Sequence, residues 1–154
     1  NIPADTTNDE LSSLMDLLPT FARLAGAKLP THKIDGQNIW PLWSQPKAKT
    51  PHESFYYYQT QHLEAVRDGR WKLYLPHSPD QPVRKGTKRR QQPVLYEVKT
   101  DIAEKHDVAA QHPKIIKRLT QAAQAARRDL GEGKQKGANV RPVGKFKKPT
   151  ARVK

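Results

Sequence analysis

The spacing of apolar and polar positions predicts a first helix near the N-terminus, over residues 17–26. Its apolar side chains recur every three or four positions, which places them on one face of a helix. Asp16 is a favourable N-cap, Pro19 falls in the first turn where a missing N–H is harmless, and Gly26 is suited to end the helix. The residues of this predicted apolar face are Leu17, Phe21, Leu24 and Ala25.

Segments rich in aromatic and β-branched residues predict an antiparallel sheet in the middle of the chain. Asp68-Gly69 is a strong signal for a two-residue hairpin turn, so the segments on either side of it should pair. The four predicted strands are residues 54–59, 64–67, 71–75 and 94–98.

A longer helix is predicted over residues 113–129, where alanine is abundant. Pro113 suits its first turn, and Gly131 ends the pattern. An apolar stripe along this helix should lie across one face of the sheet, and it consists of Ile116, Leu119, Ala123 and Ala126. The predicted fold class is therefore α+β, a small antiparallel sheet with packed helices.

Two connections complete the predicted domain. Four prolines in residues 28–53 predict turns and extended backbone in place of a helix. Apolar side chains in this segment require a larger body to pack against, and they are Ile34, Ile39, Trp40, Leu42 and Trp43. The loop over residues 76–93 also holds four prolines, and we expect it to be exposed and mobile.

Charge separates a tail from the domain. The formal net charge is +13, and nearly all of it comes from two segments, residues 84–90 and residues 131–154. Because residues 131–154 lack apolar periodicity, we predict a domain over residues 1–130 and a basic flexible tail over residues 131–154. Such a tail could make nonspecific contacts with polyanions, whether nucleic acid or an acidic polysaccharide. No run of about 18 apolar residues occurs, so no membrane span is predicted.

The candidate chemistry is sparse. The absence of cysteine excludes disulfides, thiolate metal sites and a cysteine nucleophile, and the six histidines have no metal-ligand spacing. We therefore predict no catalytic residue and no metal ligand in this chain. Tyr58, Gln61 and His62 are candidate substrate-binding residues, since they end an aromatic strand and offer ring faces beside hydrogen-bonding groups. Alternatively, the tyrosines alternate between core and solvent and the polar residues simply end the strand.

The order of four motifs resembles the C-terminal region of the arylsulfatase family, especially bacterial members that act on glycosaminoglycan-type sugars. The resemblance covers roughly residues 11–130. The motifs are Asp16-Leu17-Leu18-Pro19-Thr20 with Leu24-Ala25-Gly26, then Asp35-Gly36 with Pro41-Leu42, then Ala65 to Leu73, and finally Leu95-Tyr96-Glu97 with Asp101 and Glu104.

The resemblance implies a sulfatase C-terminal subdomain of an alkaline-phosphatase-like fold, which packs against an N-terminal catalytic domain. That domain would hold the formylglycine nucleophile and a calcium ion, the substrate would be a sulfated saccharide, and the enzyme would be periplasmic or secreted. The family nucleophile arises in a Cys/Ser-x-Pro-x-Arg motif. Ser44-Gln45-Pro46-Lys47-Ala48 begins this motif but ends in alanine, so we expect the chain alone to be inactive. An independent basic module that binds nucleic acid or acidic polysaccharide is the alternative hypothesis, and it uses only the charge.

Overall fold

A computed structural model describes residues 2–140 and contains a four-stranded antiparallel sheet with helices. The strands follow one another in sequence order across the sheet. The helices are α1 (Leu17–Leu24), α2 (Trp40–Ser44) and α3 (Pro113–Leu130), and the sheet strands are β1 (Phe55–Gln59), β2 (His62–Arg67), β3 (Trp71–Tyr74) and β4 (Val94–Glu97). The predicted α+β class is confirmed.

The main core lies between the sheet and α3, which packs against β2 and β3. Pro113 stands at the start of α3 and Gly131 follows its end with a positive φ, as the sequence predicts. The predicted stripe of α3 faces the sheet, with Ile116 partly buried at its edge. The fully enclosed core side chains are Leu63, Val66, Leu73, Leu95, Leu119 and Ala123.

The sequence predicts Asp16 as the N-cap of α1, but its side chain makes no capping hydrogen bond to that helix. A short 3-10 turn, Leu14–Asp16, precedes the helix, so Ser13 takes the capping position and Asp16 falls inside the first turn. The buried Asp16 carboxylate accepts hydrogen bonds from the backbone N–H of Ser13 and of Gln37, each at 2.8 Å. Its third partner is His52 Nε2, also at 2.8 Å. Asp16 therefore joins three segments of the N-terminal part of the chain.

The connection over residues 28–53 contains the helix α2, which the prolines did not lead us to expect. Pro41 is the second residue of α2, where its missing N–H costs nothing. Ile39 and Leu42 are buried, and the rings of Trp40 and Trp43 meet edge-on with centroids 6.4 Å apart. The apolar residues of this segment thus form a small cluster beside α1, whose Phe21 ring lies 6.0 Å from that of Trp43.

The hairpin between β2 and β3 forms as predicted, but its turn differs. Arg67 pairs with Lys72, and the backbone N–H of Asp68 donates to the Trp71 carbonyl. The Asp68 carboxylate accepts from the N–H groups of Arg70 and Trp71, and Gly69 does not adopt a positive φ. The turn is therefore centred on Gly69 and Arg70, and the aspartate side chain replaces part of the backbone pairing.

The loop over residues 76–93 has exposed basic residues at its tip and fixed ends. The Arg90 guanidinium donates to the Glu64 carboxylate at 2.7 Å and to the Leu75 carbonyl at 2.6 Å. Gln81 is buried and also donates to Glu64. The expectation of an exposed loop holds for the tip, whereas the ends are fastened to the sheet.

Residues 131–136 form a second, two-stranded sheet, with β5 (Gly131–Glu132) paired to β6 (Gln135–Lys136). A Cβ on Gly131 would overlap the backbone of residues 135–137, so only glycine permits this close approach. The hairpin lies at the start of the segment expected to be a flexible tail, and residues 141–154 of that segment lie outside the described residues. Residues 2–140 contain no helix with the length and hydropathy of a membrane span.

Candidate functional site

The three candidate residues predicted from the sequence lie in or beside the turn between β1 and β2. Tyr58 belongs to β1, Gln61 to the turn, and His62 begins β2. The register shifts between Tyr57, which pairs with Ala65, and Tyr58, which pairs with Leu63. Thr60 adopts a positive φ at the tip, an unusual conformation for a β-branched residue. The surrounding contacts must therefore hold this turn in place.

The β5–β6 hairpin supplies those contacts. The N–H of Gly133 donates to the Gln61 carbonyl at 2.7 Å, and the Tyr58 hydroxyl donates to the Gly131 carbonyl at 3.1 Å. The N–H of Leu63 donates to the Glu132 carboxylate at 3.1 Å, and the same carboxylate pairs with Arg127 of α3. The hairpin is thus bonded to β1, to the turn and to β2.

A depression of about 500 Å³, widely open to solvent, lies between the β1–β2 turn and the β5–β6 hairpin, and we call it the hairpin cavity. Lys134 and Lys136 line it, are exposed, and have no ion-pair partner within residues 2–140. Burial, followed by the nearby Glu132 carboxylate, raises the pKa of Tyr58, so its hydroxyl remains a donor at neutral pH. The other lining residues are Tyr58, Thr60, Gln61, Leu130, Gly131, Glu132, Gly133, Gln135 and Val140.

His62 does not line the hairpin cavity. Its side chain lies beneath the hairpin and is 6% exposed, and a Cβ on Gly133 would come within 3.2 Å of the imidazole Cε1. Its Nδ1 has no hydrogen-bond partner in the described part of the chain. Of the three candidates, Tyr58 and Gln61 therefore face the cavity, whereas His62 supports its wall.

A larger open groove of about 1270 Å³ runs between α1, the loop at residues 33–38 and the start of β1. Apolar side chains of α1 and its flanking segments are exposed beside it, and we call them the α1 surface. They are Leu14, Met15, Leu18, Phe21, Leu24 and Leu29. Six exposed apolar side chains within residues 14–29 are typical of a surface that another body covers.

The groups required for ester hydrolysis are not assembled in the described residues. The Ser44 hydroxyl donates to the Trp40 carbonyl at the end of α2 and has no base beside it. No group of three or more His, Cys, Asp or Glu side chains within residues 2–140 is placed to hold a metal ion.

Sequence reasoning missed Lys134, Gln135 and Lys136 because the basic tail was expected to start before them. The sequence does contain a signal for the β5–β6 hairpin, because closely spaced glycines beside polar residues indicate a tight turn. These glycines are Gly131, Gly133 and Gly137.

Reasoning also missed the role of Lys72, whose ammonium lies 4.7 Å from the ring centres of both Tyr57 and Tyr74. Burial opposes its charge, but hydrogen bonds with Glu104 and Tyr74 raise the pKa of Lys72. The ion pair with Glu104, at 2.7 Å, ties the segment after β4 to the sheet.

Comparison with known proteins places the described fold among sulfatases. The family model for the C-terminal region of aryl-sulfatase matches residues 50–151. Steryl-sulfatase of Rattus norvegicus is 30% identical over 142 residues, which cover 76% of this chain and 25% of that protein.

Two solved structures are also similar. One, from work on the metabolism of multiple glycosaminoglycans by Bacteroides thetaiotaomicron, has 27% identity and a TM-score of 0.56 over 73% of this chain and 24% of its own. The other, Ps i-CgsB in complex with k-i-k-neocarrahexaose, has 28% identity and a TM-score of 0.52 over 71% of this chain and 23% of its own. The chain thus spans about a quarter of the length of these three relatives.

Proposed function

Because the chain belongs to the family of aryl-sulfatase C-terminal regions, we propose that it is the C-terminal part of a sulfuric ester hydrolase that acts on sulfated saccharides. The family match carries this proposal, since it spans β1 to β4 and α3. The saccharide substrate is supported by the neocarrahexaose complex and by the glycosaminoglycan context of the Bacteroides structure. Because a steryl-sulfatase is also similar to this chain, a sterol sulfate is the competing substrate class to test against a sulfated saccharide.

The partner of this chain is a sulfatase catalytic domain that covers the α1 surface. Leu18, Phe21 and Leu24 lie on one side of α1 and are about half exposed, so covering them would remove apolar area from water at roughly 25 cal/mol per Å². In the intact enzyme, that domain supplies the formylglycine nucleophile and a calcium ion. The enzyme is bacterial and periplasmic or secreted under this proposal.

The turn bearing Tyr58, Gln61 and His62 contributes to the saccharide side of the substrate site. Gln61 and the Tyr58 ring supply contacts from the hairpin cavity, and His62 keeps the turn in position from beneath. The alternative function, an independent basic module for nucleic acid or acidic polysaccharide, explains only the charge. It does not account for the family match or for the exposed apolar face of α1, so it is not favoured.

The experiment measures sulfate release from a small aryl sulfate, a sulfated disaccharide and a sterol sulfate, with calcium present. The chain alone should release none, because it lacks cysteine and its nearest Ser-x-Pro sequence ends in Ala48. Expressed as one polypeptide with the coding sequence upstream of Asn1, it should hydrolyse the aryl and saccharide esters. A Cys/Ser-x-Pro-x-Arg motif should occur in that upstream sequence. Turnover by the chain alone, or no hydrolysis by the joined polypeptide, would refute the proposal.

A further inference from the structure

We propose that the hairpin cavity binds a sulfated sugar unit, with Lys134 and Lys136 holding the sulfate and Tyr58 and Gln61 contacting the ring. This inference deepens the proposed function and rests on it for the identity of the saccharide. The volume of about 500 Å³ falls within the usual range of small-ligand sites, roughly 300–1,000 Å³.

The charge of the cavity favours an anionic ligand. Lys134 lies in the turn of the hairpin and Lys136 ends β6, and both residues line the cavity. Glu132 is the only acidic residue of the lining, and its carboxylate is already bound to Arg127 and to the N–H of Leu63. Two lysines therefore line the cavity, and neither forms an ion pair within residues 2–140.

The opposite wall provides what a sugar ring requires. The Tyr58 ring packs partly against the core, and its hydroxyl is committed to the Gly131 carbonyl, which fixes the ring; the part of the ring that lines the cavity is available for contact with sugar C–H groups. Gln61 binds the hairpin through its carbonyl, and its side-chain amide makes no hydrogen bond within residues 2–140. That amide can donate to and accept from sugar hydroxyl groups.

The two walls are held in a fixed relation before any ligand arrives. The bond from Gly133 to Gln61 joins the tip of the hairpin to the β1–β2 turn, and Gly131 packs too closely for any larger residue. A ligand that enters the cavity need not order either wall, so little binding energy is lost to conformational entropy.

The experiment measures binding by NMR chemical-shift changes and calorimetry to the 154-residue chain carrying Leu18→Lys and Phe21→Lys, which make the α1 surface polar and do not touch the cavity. The probes are a defined sulfated disaccharide, the same disaccharide without sulfate, and inorganic sulfate. The test variant is Lys134→Ala with Lys136→Ala. The matched control is Lys114→Ala with Lys117→Ala, which removes the same charge from exposed lysines of α3 that do not line the cavity.

We expect the sulfated disaccharide to bind about tenfold more tightly than its unsulfated form, since charge-assisted hydrogen bonds to ammonium groups stabilise the complex. The Lys134/Lys136 variant should lose about tenfold in affinity for the sulfated form, and the control should stay within about twofold. Gln61→Ala should weaken both disaccharides equally, because it contacts the ring and not the sulfate. Inorganic sulfate should bind more weakly than the sulfated disaccharide, since it lacks the ring contacts.

Equal losses in the test and control variants would mean that only the overall positive field attracts the ligand, and would overturn the proposal. Equal binding of the two disaccharides, or no binding of either at about 10 mM, would also overturn it. These binding results are separate from hydrolysis. If the joined polypeptide hydrolyses saccharide sulfates but cavity variants bind them normally, only this inference fails. If it hydrolyses no sulfate ester, the proposed function fails whatever the cavity binds.

Discussion

Replacement of Asp16 by alanine should be among the most destabilising single changes in the N-terminal part of the chain. The carboxylate is completely buried and accepts three hydrogen bonds at 2.8 Å, from Ser13 N, Gln37 N and His52 Nε2. These donors lie in three separate segments. Alanine would leave all three without their acceptor and would release the loop at Gln37 and the segment before β1 from α1.

The magnitude follows from the number of donors that lose their partner. Each buried donor left unsatisfied costs about 1–3 kcal/mol, and water that enters the vacated space recovers part of this. We therefore expect Asp16→Ala to lower the free energy of unfolding by roughly 3–5 kcal/mol, a large share of the 5–15 kcal/mol typical of a folded domain. Asp16→Asn keeps one acceptor oxygen but points an N–H₂ group at another donor, so it should cost about 1–3 kcal/mol.

Urea unfolding followed by tryptophan fluorescence would measure these losses, because Trp40 and Trp43 lie in the segment that Asp16 secures. Glu53→Ala is the matched control, since Glu53 is an exposed carboxylate next to His52 and should change stability by less than about 0.5 kcal/mol. A loss for Asp16→Ala no larger than that of the control would refute the reasoning.

Three further outcomes are expected. Leu119→Ala should lower the free energy of unfolding by about 2–5 kcal/mol, because it leaves a cavity at the centre of the core between α3 and the sheet. Thermal or urea unfolding would measure this, and a loss below about 1 kcal/mol would contradict the packing. The hydrogen bond from Lys49 lowers the pKa of Glu10 below 4.5, so the charged Glu10 carboxylate stabilises the fold above pH 4.5 and this stabilisation is lost as the pH falls further. The stability of Glu10→Gln, measured by unfolding at a series of acid pH values, should not show this loss, and the same pH dependence as in the unchanged chain would count against the prediction. The isolated chain should bind a hydrophobic dye and scatter light, and Leu18→Lys with Phe21→Lys should reduce both signals; a wild-type chain without dye binding would show that the α1 surface needs no partner.

The sheet and α3 could be predicted from the sequence because their signals are local and repeated. The α3 stripe recurs over several turns, and Pro113 and Gly131 mark its two ends within a residue or so of the observed bounds. β3 carries Trp71 and Tyr74, whereas β2 has only Val66 of the β-branched residues and is recognisable mainly because the Asp68-Gly69 turn signal follows it. Even there the details of the turn depended on the Asp68 side chain, which strand patterns do not reveal.

Asp16 shows why a local preference can mislead. Aspartate before an apolar periodic segment predicts an N-cap, but two of its three partners, Gln37 and His52, are 21 and 36 residues away. No pattern within a helical window contains those contacts. The prolines misled the prediction for α2 in another way. Proline disfavours a helix only beyond its first turn, and α2, with Pro41 at its second position, is little longer than one turn.

The hairpin cavity could be predicted only in part, because its walls come from distant parts of the chain. The strand end with Tyr58 and Gln61 was recognisable from composition. The β5–β6 hairpin was hidden by the high positive charge that continues through residue 154, and the bonds that hold it, such as Tyr58 to Gly131, join residues 73 positions apart. Burial of His62 follows from the same hairpin, so the sequence could not reveal that this histidine lies behind the wall.

The contrast between the two apolar surfaces of the chain favours a covering partner over an independent module. The apolar side chains of α3 are spaced like those of α1, yet Leu119 and Ala123 are enclosed by the sheet while Phe21 and Leu24 remain about half exposed. The buried Asp16 carboxylate nevertheless fixes the start of α1 firmly in position. A helix held this rigidly with an open apolar face is arranged to receive another surface, because an exposed stripe alone would only promote aggregation. A basic module for nucleic acid would not need such a stripe, whereas the C-terminal part of a larger hydrolase would.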